Sequence, residues 1–200
     1  MQRHINSYAE KLSATLNSDA MQGVQILGES LREAWRAGSR IYLCGNGGSA
    51  GNAIHLANDF IYGAGIKNNG GLRVEALSAN AAVITCLAND LGYEHVFAEQ
   101  LKVKAQPGDV LVVLSGGGNS SNVVKALETG NAMDMKTFAI LGFSGGRCKE
   151  IAQYPIHFEI DDMQIAEDLQ LIVGHICMQW LSEQEVSTDK RNLDETDNAR

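Results

Sequence analysis

Apolar residues recur with a helical period at the start of the chain, at Ile5, Tyr8, Leu12 and Leu16 and again at Val24, Leu27, Leu31 and Trp35. The second run ends at Gly38, in a position suited to a helix C-cap. The pattern then changes to short apolar runs at residues 41–44, 110–114, 137–141 and 156–160, with an alternating stretch at 72–77, all of which read as strands. Helical patterns fall between them: one follows Gly48, one spans 81–91, one runs from Glu94 to about Lys104, and one carries Val123, Val124, Ala126 and Leu127. A last, long helix, capped by Asp161 or Asp162, runs to about Gln184. The unbroken run at 110–114 suits a strand covered on both faces. Strands alternating with helices predict an α/β fold with an open, mostly parallel sheet. In such sheets ligands bind outside the carboxyl ends of the strands.

Two hundred residues with 44% hydrophobic content suffice for one core, so residues 1–186 are predicted to form a single domain. The polar stretch 187–200 has almost nothing to bury and is predicted to be disordered. A net charge of −8 without a Lys/Arg cluster argues against a nucleic-acid surface, so any phosphate bound should be small and held locally. Cys44, Cys86, Cys148 and Cys177 form no Cys-x-x-Cys pair and read as reduced thiols. With no signal-peptide pattern and no run long enough to span a bilayer, the expectation is a cytoplasmic protein with no membrane partner. The first helix lies far upstream of the sheet it would cover, so it is predicted to pack on another subunit.

Candidate chemistry gathers where strands close on glycines. Gly45-Asn46-Gly47-Gly48-Ser49 frees the backbone to turn and places Ser49 as an N-cap, which suits an oxyanion, although such a loop serves equally as a tight strand-to-helix turn. Ser115-Gly116-Gly117-Gly118-Asn119-Ser120-Ser121 repeats the arrangement after the next central strand. Both loops lie at carboxyl ends and are predicted to converge on one pocket. His55 and Asp59, at i and i+4, share one face of the helix after the first loop. The glycine- and asparagine-rich stretch 63–71 is expected to border the site. His4, His95 and His157 are read as structural.

The segments at 44–50 (Cys-Gly-Asn-Gly-Gly-Ser-Ala), 88–97 (Ala-Asn-Asp-Leu-Gly-Tyr-Glu-His-Val-Phe), 106–111 (Gln-Pro-Gly-Asp-Val-Leu) and 115–123 (Ser-Gly-Gly-Gly-Asn-Ser-Ser-Asn-Val) together resemble the sugar-isomerase (SIS) domain family, and within it the phosphoheptose isomerases. The resemblance runs in order to about Gln184. It implies a homotetramer of flavodoxin-like subunits, zinc at the site, and a small phosphorylated sugar as substrate. The implied reaction converts a ketose phosphate to an aldose phosphate through an enediol, taking sedoheptulose 7-phosphate to D-glycero-D-manno-heptose 7-phosphate. Asn46, Gly47, Gly48 and Ser49 become a substrate-binding loop, and Ser115, Gly116, Gly117 and Ser120 a phosphate cradle. The family's cradle reads Ser-Thr-Ser-Gly-Asn-Ser; here Gly116 and Gly117 replace two hydroxyl residues, leaving backbone N–H groups with Ser115 and Ser120.

The family's His-x-x-x-Glu falls on His55 and Asp59, its later Gln and His on Glu167 and His175, and its substrate-contacting Asp on Asn80. Asp59 and His175 are thereby implied as the base and acid that move a proton between adjacent sugar carbons. His55, Asp59, Glu167 and His175 are implied as substrate or metal ligands, all being of types that hold zinc. On its residues alone, His175 on an apolar helix reads more often as a packed core histidine, and Glu167 as a solvated position. Glu167 and His175 lie about 12 Å apart along a helix axis, so they share a metal only by leaning together or with a neighbouring subunit. A second reading within the family is non-catalytic: a tetrameric scaffold that binds the bacterial replication initiator, or a sugar-phosphate sensor. Retention of Asp59 and His175 favours the enzyme.

Overall fold

The computed structural model describes residues 1–66 and 70–184. Helices α1 (Gln2–Leu16) and α2 (Met21–Ala37) precede β1 (Arg40–Gly45), α3 (Gly48–Asn58), β2 (Arg73–Ala76), α4 (Ala81–Leu91) and α5 (Ala98–Lys104). There follow β3 (Val110–Ser115), α6 (Ser121–Ala132), β4 (Lys136–Leu141), α7 (Gly146–Ile151), β5 (Tyr154–His157) and α8 (Met163–Ser182). The strands form a wholly parallel sheet in the order β2-β1-β3-β4-β5, the flavodoxin-like arrangement, in which the chain reverses direction across the sheet between β1 and β3. The predicted fold class is therefore found.

Strand periodicity explains the core. Ile41, Leu43, Val110, Val112, Leu114, Phe138 and Ile140 face one layer with α2, α3 and α8. Tyr42, Cys44, Leu111, Val113, Ala139 and Leu141 face the other, with α5, α6 and α7. Both sides of the central strands are thus apolar, which is why β3 reads as an unbroken run rather than an alternation.

Two elements differ from expectation, and a third, α1, shows a contact within its own chain. The last strand is Tyr154–His157 rather than 156–160; it contains Pro155, which lacks an N–H, and is accommodated because β5 lies at the sheet edge. The helix expected from Glu94 is broken into a 3₁₀ turn, Tyr93–His95, and α5. Helix α1 rests on α8 of its own chain: Tyr8, Leu12 and Leu16 pack against the core, and the Tyr8 hydroxyl donates to Asp168. Its outer side, with Ile5, stays exposed. Of the two candidate caps, Asp162 takes the position, accepting the Ile165 N–H at 3.4 Å. The tail 187–200 and residues 67–69 of the predicted loop lie outside the described residues.

Candidate active site

Gly45 of β1 stands in register with Leu114 of β3, so the loops leaving these strands are neighbours at the carboxyl edge of the sheet, as predicted. A reciprocal amide pair stitches them together: Asn46 Nδ2 donates to Asn122 Oδ1 at 2.9 Å, and Asn122 Nδ2 donates to Asn46 Oδ1 at 2.8 Å. The Tyr93 hydroxyl also donates to Asn46 Oδ1, at 2.9 Å. Asn46, expected to bind substrate, is thus engaged in holding the two loops together. Sequence reading missed Asn122 and Tyr93; the available signal was a polar residue, Asn122, on the buried side of an otherwise apolar helix turn. Ser49 does not cap α3. Gly47 does, at φ 54°, ψ −121°, a conformation open to glycine, while Ser49 lies buried in the first turn.

In the second loop the Ser115 hydroxyl accepts the Gly118 N–H at 3.1 Å. Ser120 is the N-cap of α6 without using its side chain in the cap, which leaves that hydroxyl and the N–H groups of Ser121 and Asn122 for an anion, the Val123 N–H being taken by Asn122 Oδ1. Open space surrounds Gly117, whereas Met163 Sδ lies 2.6 Å from where a Cβ on Gly116 would stand. The Met163 thioether therefore fills the space of the side chain missing at Gly116.

His55 and Asp59 stand one turn apart, His55 on α3 and Asp59 at its end, and His175 approaches from α8. His55 Nε2 lies 3.0 Å from His175 Nε2 and 3.4 Å from Asp59 Oδ2, and His175 Nε2 lies 3.2 Å from Asp59 Oδ2. Close helix packing makes this possible: a Cβ on Gly174 would collide with the Leu56 side chain, so only glycine next to His175 lets α8 come this near α3. At Asp59 the helix widens into a π turn, Asp59–Gly63, with Ala64 N–H bonded to Asp59 C=O at 3.0 Å. Such turns are frequent at functional sites.

The triangle fits a small divalent cation. Tetrahedral coordination by N and O ligands with bonds of about 2.0–2.1 Å places neighbouring ligand atoms about 3.3 Å apart, and the three separations bracket that value. Two imidazole nitrogens and a carboxylate oxygen form a common catalytic zinc set, with a fourth position left for water or substrate. The side chains of His55 and His175 are 51% and 38% exposed, so that position is reachable.

Glu167 is not part of this triangle. Its carboxylate lies against Gly48 at the start of α3, and its backbone C=O accepts from Asn52 Nδ2 at 3.0 Å, which ties it to the first loop two turns up α8 from His175. Within one chain Glu167 therefore stands apart from the three clustered ligand types, two turns of α8 from His175. This leaves Glu167 at the loop end of the site. The Asn80 side-chain oxygen caps α4, accepting the Ala82 and Val83 N–H groups at 3.1 and 3.2 Å; only its NH₂ remains for a ligand. His157 Nε2 meets the Phe143 carbonyl at 2.8 Å, in keeping with a structural role. No described helix is long and apolar enough to cross a membrane.

Parallel order, paired loops at the switch point and a His/Asp/His cluster beside them define an α/β domain with a candidate ligand site at the carboxyl edge of its sheet, and the sequence model of the SIS domain matches residues 4–142. The chain belongs to the SIS-domain family. It is 36% identical over 176 residues to the phosphoheptose isomerase of Akkermansia muciniphila, covering 88% of this chain and 90% of that one. To the phosphoheptose isomerase of Mycobacterium tuberculosis it is 36% identical over 155 residues, covering 78% and 79%. The structure of phosphoheptose isomerase from Neisseria gonorrhoeae superposes with a TM-score of 0.83 at 24% identity, over 92% of this chain and 98% of that one, a likeness of fold.

Proposed function

We propose that this protein is an aldose–ketose isomerase that converts sedoheptulose 7-phosphate to D-glycero-D-manno-heptose 7-phosphate. The observation that carries the reading is the His55–Asp59–His175 triangle on α3 and α8, one helix length from a loop pair suited to phosphate, in a chain 36% identical to phosphoheptose isomerases. From Gly48 to His55 helix α3 advances about 10 Å, a span that an extended seven-carbon chain covers with its phosphate at Ser115, Gly117 and Ser120 and its carbonyl end at Asp59.

His55, Asp59 and His175 would hold zinc, which when bound polarises the substrate's carbonyl and hydroxyl oxygens and acidifies the adjacent C–H. Asp59 takes the proton from C1, leaving an enediol, and as the carboxylic acid returns it to C2; the hydroxyl proton passes from O1 to O2, so the product is the aldose and no atom is gained or lost. A nitrogen that holds a cation carries no proton. His175 is therefore the companion acid only where its Nε2 is protonated, and otherwise the proton transfer falls to Asp59 Oδ1, whose neighbour is Asn58 Nδ2 at 3.3 Å. Glu167 at Gly48 and the free NH₂ of Asn80 are placed to meet sugar hydroxyls. A substrate this highly charged is retained in the cytoplasm, where we place the enzyme.

The assembly we infer is a homotetramer. Helix α4 fully buries no residue within the chain: Ile84 and Leu87 are only partly covered by the core and Leu91 is 51% exposed, which leaves apolar surface for a subunit contact. Light scattering should give four times the 21.5 kDa chain mass. The activity itself is tested by incubating zinc-supplemented protein with sedoheptulose 7-phosphate and following the aldose by a coupled assay. Failure to form any aldose would remove the isomerase reading.

A further inference from the structure

The amino-terminal edge of the sheet, at the opposite end of the strands from the loops, holds a cleft of about 590 Å³ bounded by Gly38, Arg40, Arg73, Lys104, Gln106 and Asp109. Arg40 and Arg73 are register partners on the parallel strands β1 and β2. Their side chains therefore leave the same face of the sheet side by side. Like charges so placed are destabilising unless something offsets them. Among the described residues neither guanidinium forms an ion pair.

The nearby carboxylates are already engaged. Asp109, 5% exposed, accepts the backbone N–H groups of Arg40 and Gln106 at 2.8 and 2.9 Å, and Glu75 pairs with Lys104. Arg73 donates one N–H to the Gly38 carbonyl at 2.8 Å, where a cation also complements the C-terminal end of α2. That contact accounts for one of its donors, and the Tyr42 hydroxyl, which itself donates to the Lys104 carbonyl, accepts one of Arg40's. In a chain of net charge −8, two exposed guanidiniums with no carboxylate partner among the described residues make a local cationic spot in a polar cleft that the buried Asp109 also lines. A forked pair of this kind matches the oxygens of a phosphate group.

We propose that this cleft is a second anion site, which takes inorganic phosphate or a small phosphate ester between Arg40 and Arg73, independently of the cradle at the other end of the sheet. The test is calorimetric titration of the full-length protein with inorganic phosphate and, separately, with glycerol phosphate. Wild type should show two sites per chain. Arg40→Gln should weaken one of them about 10- to 100-fold, the loss expected for a charge-assisted hydrogen bond, and leave turnover of the ketose phosphate unchanged at low phosphate; Ser120→Ala should weaken the other. Arg73→Gln should act like Arg40→Gln. If losing the Gly38 contact unfolds that variant in a melting scan, Arg40→Gln, which breaks no ion pair, decides alone. Tighter binding of glycerol phosphate would identify an ester as the ligand, and equal binding the free ion. A single site in wild type, or an Arg40→Gln isotherm identical to wild type, would overturn the proposal.

Discussion

His55 and His175, 120 positions apart in the chain, bring their Nε2 atoms to 3.0 Å. Two bare nitrogen lone pairs at that distance repel, so the pair is stable with a proton or a cation between them. The matching separations to Asp59 Oδ2 favour a cation held by all three. Protein purified from zinc-supplemented medium should then carry about one zinc per chain by elemental analysis, and His55→Ala or His175→Ala should carry almost none. Because a ligand that binds only the folded state stabilises it by about 2.7 kcal/mol at a hundredfold excess over Kd, chelation should also lower the melting temperature. Zinc-free wild type with an unchanged melting curve would count against the site.

Asp59→Asn keeps the size of the side chain and removes the carboxylate proposed as the base. Turnover of the ketose phosphate should fall about 10²- to 10⁴-fold, with KM little altered. Assaying His175→Ala with its zinc content measured separates that residue's two roles: activity that tracks zinc occupancy marks it as a ligand, and activity lost at full occupancy as the acid. An Asp59→Asn enzyme as fast as the parent would end the catalytic reading.

The cradle should respond differently. Ser120→Ala removes a hydroxyl proposed to bind the phosphate and not the migrating proton, so KM should rise about tenfold with kcat nearly constant. Gly116→Ser, which restores a family hydroxyl, must displace the flexible Met163 thioether, whose Sδ occupies the space of the new Cβ, so it should be better tolerated together with Met163→Ala. Melting curves of the single and double variants decide this.

The sheet and both loops were legible because apolar strands closing on glycine and serine leave a local signature, and His55 with Asp59 because the i, i+4 spacing is itself the geometry. The role of His175 was not legible from spacing. It depends on how closely α8 packs on α3, a tertiary distance set by Gly174 and Leu56, and only the family resemblance pointed to it. The Asn46–Asn122 pair was hidden for the same reason, being a contact between the first loop and the start of α6, 76 positions apart. The π turn at Asp59 has no compositional mark, and Ser49 looked like a cap because serine favours that position, while the backbone there requires the positive φ of Gly47.

Tyr8 and Asp168 make a pH-sensitive clasp between α1 and α8. The hydrogen bond to Asp168, followed by desolvation and that carboxylate's charge, pushes the Tyr8 phenol from 10.0 up to about 12. The folded state thus keeps this proton where the unfolded chain loses it. The contribution is complete below pH 10 and is lost as pH rises toward 12. Phenolate absorbance should show Tyr8 titrating late in wild type, together with Tyr42, whose phenol is also pushed up by burial, and Asp168→Asn should return Tyr8 alone toward the ordinary range. Identical titrations would show that the clasp does not operate in solution.

The last prediction concerns a residue that touches neither metal nor sugar. Gly174 has no side chain, so Leu56 packs directly onto the α8 backbone and His55 meets His175 across the same contact. A methyl group added at Gly174 has no room, and the interface must open by a fraction of an ångström or Leu56 must leave its rotamer, at a cost of about 1–3 kcal/mol for overpacking. Opening the interface pulls His175 Nε2 away from His55 and Asp59, and a displacement of this size at a catalytic group is expensive. Gly174→Ala should therefore fold with a lowered melting temperature, bind zinc more weakly and lose turnover out of proportion to its loss of stability. Leu56→Ala in the same chain makes room for the methyl group and should recover zinc affinity while remaining less stable than wild type. If Gly174→Ala holds zinc as tightly as wild type, the close approach of α3 and α8 is not what assembles the site; if Leu56→Ala fails to restore affinity, the steric account of that approach is wrong.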